Sequence, residues 1–467
     1  MQQMAATARF SLSPGPASSR RRGPSRFRVP FVPFAALLAV LLTACATANR
    51  PADTLNAIAE AYVRLSLEAG THEEGYIDAY YGPPEWKQAA EAKPRSVAQL
   101  GQDAAALQTR LRAIRPAADP LVRRRAEFLD AQLTAARTRL RMIGGEKLSF
   151  AEEAQGLFAL NPEILPLTHY DAVLARIDRL LPGRGTLAER AEAFQAGFVI
   201  PADKLDAVMR AAIAECRRRT IRQIPLPPGE AFTLEFVTGK SWSGYNYYQG
   251  NYKSLIQINT DLPVRLSRAV DLGCHEGYPG HHAYNVLLER DLARGRGWTE
   301  FSVYPLYSPQ SLIAEGSANY GIDLAFTPEE RLAFERDVLI PLARLRPQEA
   351  GRYLELQRAV EDLAGARFTI ARDYLEGRIA RTQAVALTEQ YQLVGRQRAE
   401  QSIAFTDQYR SYVINYGLGK DLVAAYVEAA GGPAERWAAM RRILSQPTLP
   451  KHLKTGSEVS SRSGSMD

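Results

Sequence analysis

Pro279 is the residue that most narrows what this chain can build, because it falls inside the densest group of metal-binding side chains in the sequence. Three of the six histidines lie in the run Cys274-His275-Glu276-Gly277-Tyr278-Pro279-Gly280-His281-His282, with a glutamate directly after the first. Imidazole is the commonest metal ligand, and a carboxylate is the usual partner of a metal-bound water. In the ordinary His-Glu-x-x-His pattern the two histidines sit one turn apart on one helical face. Here the proline stands where the second histidine would be. An unbroken helix fails as well, since His275 to His282 spans two turns, roughly 10 Å by helical rise, too far to share an ion through bonds of about 2 Å. The helix must break, and a residue without a backbone donor followed by one tolerant of unusual dihedrals supplies the break. The expectation is a helix over 264–278 that ends on His275 and Glu276, then a turn delivering His281 or His282 to the same metal. His72-Glu73 repeats the dipeptide with no histidine after it and is expected to be inert.

A hydrolytic zinc site needs a third protein ligand. The run Leu312-Ile313-Ala314-Glu315-Gly316-Ser317-Ala318-Asn319-Tyr320 follows a helix-start signal at Pro309-Gln310-Ser311 and places one carboxylate on an apolar face. Such a charge is costly to bury unless paired or metal-bound, which makes Glu315 the expected ligand. Asn319 is one turn further along, and Asp323 another, so both are candidates to hydrogen-bond a liganding imidazole. Two histidines and one carboxylate also suit a non-haem iron, the rival cofactor.

The histidine run resembles the signature of the bacterial family called domain of unknown function 885, whose members resemble zinc metallopeptidases of the glutamate-ligand zincin kind. Glu315-Gly316-Ser317-Ala318-Asn319-Tyr320 resembles that family's Glu-Gly-Trp-Ala-Leu-Tyr, and Ser411-Tyr412-Val413-Ile414 its Ser-Tyr-Lys-Ile. The likeness spans most of the chain; Ser317 and Asn319 depart from the family's Trp and Leu. It implies one zinc held by His275, His281 and Glu315, with His281 preferred over His282 by analogy to the Gly-His of helical oligopeptidases. It also implies Glu276 as unligated general base; the segment 409–419 offers three tyrosines, Tyr409, Tyr412 and Tyr416, as the phenol that stabilises an oxyanion, and the likeness falls on Tyr412.

Ahead of the histidines, 232–237 and 254–259 are short, branched and aromatic, joined by a Gly- and Tyr-rich connection over 244–252. They predict a small sheet feeding the metal-binding helix, whose edge could hold an extended peptide through Asn251, Tyr252 and Gln257. Helical spacing predicts helices at 55–65 behind Asp53 as cap and before Gly70, at 121–143, 170–181, 202–219, 329–344, 350–365 and 434–444, with strand signals confined to the one region. The fold class expected is mainly α, a large zincin-like helical domain with a small sheet beside the metal-binding helix. The segment from Asp78 to Trp86 is turn-rich and aromatic; it could cap the cleft, but a surface loop is the safer expectation.

The formal charge of +7 suggests nucleic acid only until it is located: six arginines and no acids precede Cys45, so no general footprint for phosphates remains. Arg20 to Arg28, the apolar run Phe31 to Leu42 and the box Leu42-Thr43-Ala44-Cys45 resemble a lipoprotein leader over 1–44, with lipid attachment at Cys45. The domain then covers 45–454 and a Ser-rich tail 455–467. Cys216 and Cys274 remain, and nothing in the sequence pairs them, so no dependence on disulfides is expected. The expected protein is a zinc peptidase acting on short or unstructured peptides at the periplasmic side of the envelope, anchored through lipid. The other reading is a silent envelope lipoprotein that binds peptides or a partner.

Overall fold

Helical periodicity dominates the chain, and the computed structural model, which describes residues 54–454, is mainly helical with two small sheets. Cys45, the leader and the tail lie outside the described residues, as does Asp53. The first helix, Leu55–Ala69, is capped instead by Thr54, whose hydroxyl accepts from the Ala57 N–H at 3.1 Å. Helices Val97–Ala113 and Pro120–Ile143 begin on side-chain caps at Ser96 and Asp119 and bury Leu100, Leu107, Leu129 and Leu133 against Ile58 and Tyr62. Further helices cover Asp171–Leu180, Ala202–Ile221, Ala350–Glu361 and Pro433–Ser445, close to their expected spans. The stretch expected as one helix over 329–344 is Pro328–Phe334, a wide π turn Glu335–Leu339, and the short Ile340–Leu342. No described helix is long and apolar enough to cross a membrane.

The expectation of a single strand region is corrected by a second sheet. Strand β1, Ile77–Tyr80, pairs antiparallel with β5, Val303–Pro305, so the segment after Asp78 is built into the fold rather than looped over it. The three other strands are β2 (Ala231–Val237), β3 (Gly244–Gly250) and β4 (Lys253–Asn259). Their order is β2-β4-β3, with β2 and β4 parallel and β3 antiparallel to β4. The connection expected between two strands is therefore itself a strand, and it forms an edge. Ile256, Ile258 and Leu234 bury against Val208, Ala212 and Ile213 of helix Ala202–Ile221, and the histidine run passes over the same core through Val270 and Tyr278.

Two backbone approaches carry the site elements together. A Cβ on Gly316 would lie 2.3 Å from the Gly419 carbonyl oxygen, and one on Gly419 2.7 Å from that of Leu312. Only glycine at both positions lets helix Pro309–Ala325 lie this close to helix Ile414–Glu428. The other tie is covalent. Cys216 and Cys274 form a disulfide with Cα atoms 5.3 Å apart, linking helix Ala202–Ile221 to the residue before His275, which corrects the expectation of unpaired thiols.

Closing a loop of 58 residues, this bond is worth about 4 kcal/mol by chain entropy. The double variant Cys216→Ala, Cys274→Ala is expected to unfold at a markedly lower urea concentration than the oxidised protein. Equal midpoints would show that the crosslink contributes nothing.

Candidate metal centre

The helix carrying the first histidine begins at Ser267 and runs to Leu272, and the backbone then widens into a π turn over Gly273–Gly277. Wide turns of this kind interrupt a helix where a side chain must be re-aimed. The turn sets His275 and Glu276 at its end; Tyr278 is extended, the Tyr278–Pro279 bond is cis, and a new helix starts at His281. Gly280 makes the fold-back possible: its N–H donates to the Cys274 carbonyl at 3.0 Å, and a Cβ there would lie 1.8 Å from the His275 oxygen. The expected single helix over 264–278 is thus shorter, and it ends in a wider turn than the sequence indicated.

The fold-back brings three ligand atoms together. His275 Nε2 and His281 Nε2 are 3.1 Å apart, and Glu315 Oε2 lies 3.1 Å from the first and 3.6 Å from the second. All three residues are buried and form a group able to hold a metal ion. Bonds of about 2.0–2.1 Å at tetrahedral angles put ligand atoms roughly 3.3 Å apart, which is the spacing found. Glu315 Oε2 is also a buried acceptor with no hydrogen-bond donor, whereas its Oε1 accepts from the Tyr412 hydroxyl at 2.7 Å. The donor set and the orphaned oxygen fit a divalent cation.

The electrostatics agree. Burial works against the charge of Glu315, but His281 and His275 outweigh it and hold the carboxyl well below its usual range. Burial likewise opposes a charged His281, yet Glu315, Glu276 and Asp78 carry its pKa up to about 9. The three atoms are arranged to enclose positive charge. Glu276 borders the same cavity of about 820 Å³. Its carboxyl is pushed up, first by burial and further by Glu315, against His275 and His281. A Cβ on Gly244 would lie 2.7 Å from Glu276 Oε1, so the glycine in β3 makes room for this carboxylate.

Of the two supporting residues expected for the imidazoles, the structure supplies one. His275 Nδ1 lies 3.1 Å from Asn319 Oδ1, and the Asn319 amide donates to the Tyr416 carbonyl at 3.0 Å. Asp323 does not reach a histidine; it pairs at the surface with Lys420 at 2.8 Å, because a further turn carries it out of the cavity. His282 points the other way from His281. It is fully buried, with Nδ1 2.7 Å from Ser254 Oγ and Nε2 2.8 Å from Glu230 Oε2. Glu230 also accepts from Tyr278 at 2.5 Å and from Arg217 at 2.8 Å. Ser317, where the family-like motif departs from Trp, is buried in the helix crossing and donates to Ala314, away from the cavity. His72 faces the Arg95 carbonyl at 2.7 Å and takes no part.

The expected peptide edge is relocated. Gln257 borders the cavity but sits on the central strand β4, with its amide donating to Glu235 at 3.1 Å. Asn251 and Tyr252 form the β3–β4 turn with positive φ, outside the cavity, and their N–H groups donate to Glu289. The strand edge at the cavity is β3, through Gly244, Tyr245 and Asn246. Two residues from segments weighed in the sequence, but not chosen there as site residues, complete the walls. Tyr416 stacks on His275 with ring centres 6.2 Å apart, and Asp78 on β1 has its pKa raised to about 7, mainly by burial, against the pull of His281 and Tyr245. Their helix and strand spacing carries no distinctive signal; the Tyr and Asp become site residues only through the pairing of β1 with β5 and the glycine crossing.

No family profile and no curated protein matches the chain. Among solved structures, the one named as the putative lipoprotein from Colwellia psychrerythraea is similar over 84% of this chain and 76% of that chain, at 15% sequence identity and a TM-score of 0.47.

Two outcomes follow for the histidine pair. His281→Ala is expected to abolish stoichiometric metal binding, measured by elemental analysis of the purified protein, while His282→Ala retains it; the reverse pattern would reassign the ligand. Glu230 has its pKa lowered to about 2 from 4.5, because bonds from His282, Tyr278 and Arg217 outweigh its burial. The stability it supplies is therefore full above about pH 4.5 and is lost as pH falls toward 2, roughly 3 kcal/mol in all. Urea melts of the native chain and Glu230→Gln should differ most near pH 6 and converge only toward pH 2.

Proposed function

We propose that the protein is a zinc-dependent peptidase with a zincin-like helical domain, cleaving peptide bonds of short or unstructured peptides in the cell envelope. The observation that carries this reading is the convergence of His275, His281 and Glu315 at tetrahedral spacing beside an unligated, buried Glu276. Its likeness to domain of unknown function 885 belongs to the same reading, as does lipid anchoring at Cys45.

His275, His281 and Glu315 would hold a zinc ion, which would supply Lewis acidity toward a carbonyl and toward water. The remaining work falls to the chain's own groups. An extended peptide pairs with the β3 edge at Gly244 to Asn246, which lays its backbone along the cavity. Glu276 accepts a proton from the attacking water and returns it to the leaving amine, and burial, which pushes its pKa up, makes its carboxylate a stronger base. Asn319 fixes the ring of His275, and Tyr412 holds Glu315 by the oxygen that faces away from the imidazoles. With that phenol committed to Glu315, Tyr416 is the neighbouring phenol whose hydroxyl carries no hydrogen bond among the described residues, free to donate to a developing oxyanion.

Glu276→Gln should keep its zinc and lose 10²–10⁴-fold in turnover of unstructured peptides. Tyr416→Phe should lower turnover by about 10²-fold with zinc content unchanged. A zinc-loaded native protein that cleaves no peptide library would leave binding as its activity, and stoichiometric iron in place of zinc would favour the non-haem alternative.

A further inference from the structure

Three arginines line the cavity, and Arg367 differs from Arg268 and Arg398 in having no acceptor. Arg268 is satisfied by Ser243 at 3.0 Å and Asp271 at 3.5 Å, and Arg398 by the Pro263 carbonyl at 2.7 Å. Arg367 makes no ion pair and no side-chain hydrogen bond among the described residues, and its Nε is buried without an acceptor. Its guanidinium lies on two rings instead, 5.0 Å from Phe405 and 5.9 Å from Tyr416. Burial with no facing carboxylate pushes its pKa down. A half-buried guanidinium without an acceptor is costly to maintain, and the group that relieves it is a planar, bidentate anion.

Position says which anion. Tyr416 also stacks on His275 at 6.2 Å, so the guanidinium is no more than about 12 Å from that ligand ring, a span an extended chain covers in about three residues. Phe405 and Arg398 lie on one face of helix Arg396–Tyr409, which floors the cavity from Arg367 toward Tyr409. Acids occupy the metal end, at Asp78, Glu276 and Glu315, and would repel a carboxylate there.

We infer that Arg367 is the receptor for the C-terminal carboxylate of a peptide substrate, which makes this a peptidase that releases a fragment of one to three residues from the carboxyl end. The inference rests on the peptidase reading for its chemistry. Water adds across the amide, its hydroxyl going to the carbonyl carbon and its proton to the amine of the released fragment.

The test is calorimetric titration of the zinc-loaded full chain, as Glu276→Gln to prevent turnover, with N-acetylated alanine-rich tetra- to hexapeptides ending either in a free acid or in an amide. Free acids should bind at least tenfold tighter than amides. Arg367→Gln should erase that difference without changing amide binding, and Arg367→Lys should restore part of it; thermal melts confirm that each variant is folded. Acids and amides binding alike, neither binding, or a preference that survives Arg367→Gln would overturn the assignment, as would amides regaining affinity through an internal Glu. Hydrolysis by the Glu276-intact protein separates the two readings. Equal cleavage of acids and amides retires the receptor and keeps the peptidase, whereas acid-selective binding with no cleavage of either set does the reverse.

Discussion

One contact between backbone atoms underlies the whole centre: the Gly280 peptide pressed onto the carbonyls of Cys274 and His275. At this separation a methyl group would sit inside the oxygen's radius, so the fold-back tolerates no side chain. It resolves the conflict posed by Pro279. A continuous helix would have kept the histidines on separate turns; breaking it and restarting at His281 sets two imidazole nitrogens 3.1 Å apart. The second helix start then sorts neighbours. Consecutive helical side chains diverge by about 100°, so His281 faces the cavity and His282 faces the sheet.

That divergence couples the site to its scaffold. His282, Glu230, Arg217, Tyr278 and Ser254 form a hydrogen-bonded set behind the ligands, in which each buried polar group has a partner. In front, one ligand oxygen is left without a donor. A buried network that is complete on one side and open on the other fixes where the ring of His281 can point, because the helix start carrying both histidines cannot rotate without breaking the bonds of His282.

Much of this was legible in the sequence, and the reasons for the rest are physical. The break at Pro279-Gly280, the carboxylate on an apolar helix at Glu315 and the amide at Asn319 all follow from local rules of backbone and burial, and the structure brings these residues together. Asp323 failed because periodicity gives a face but not the point at which a helix leaves the cavity. Gln257 borders the cavity but from the central strand β4 rather than an edge, because strand propensity does not give strand order, and Tyr252 lies in the β3–β4 turn outside the cavity. The pairing of β1 with β5 joins segments more than 200 positions apart, a non-local choice no window of sequence contains. The Cys216–Cys274 bond was invisible for the same reason.

That bond has a consequence for when the site becomes rigid. Sulfurs stay reduced in a glutathione-buffered cytoplasm and join only in oxidising surroundings. The residue immediately before His275 is therefore clamped to its neighbouring helix only outside such a compartment. In reducing surroundings the ligand turn is held by packing alone, and oxidation adds a covalent lock to it.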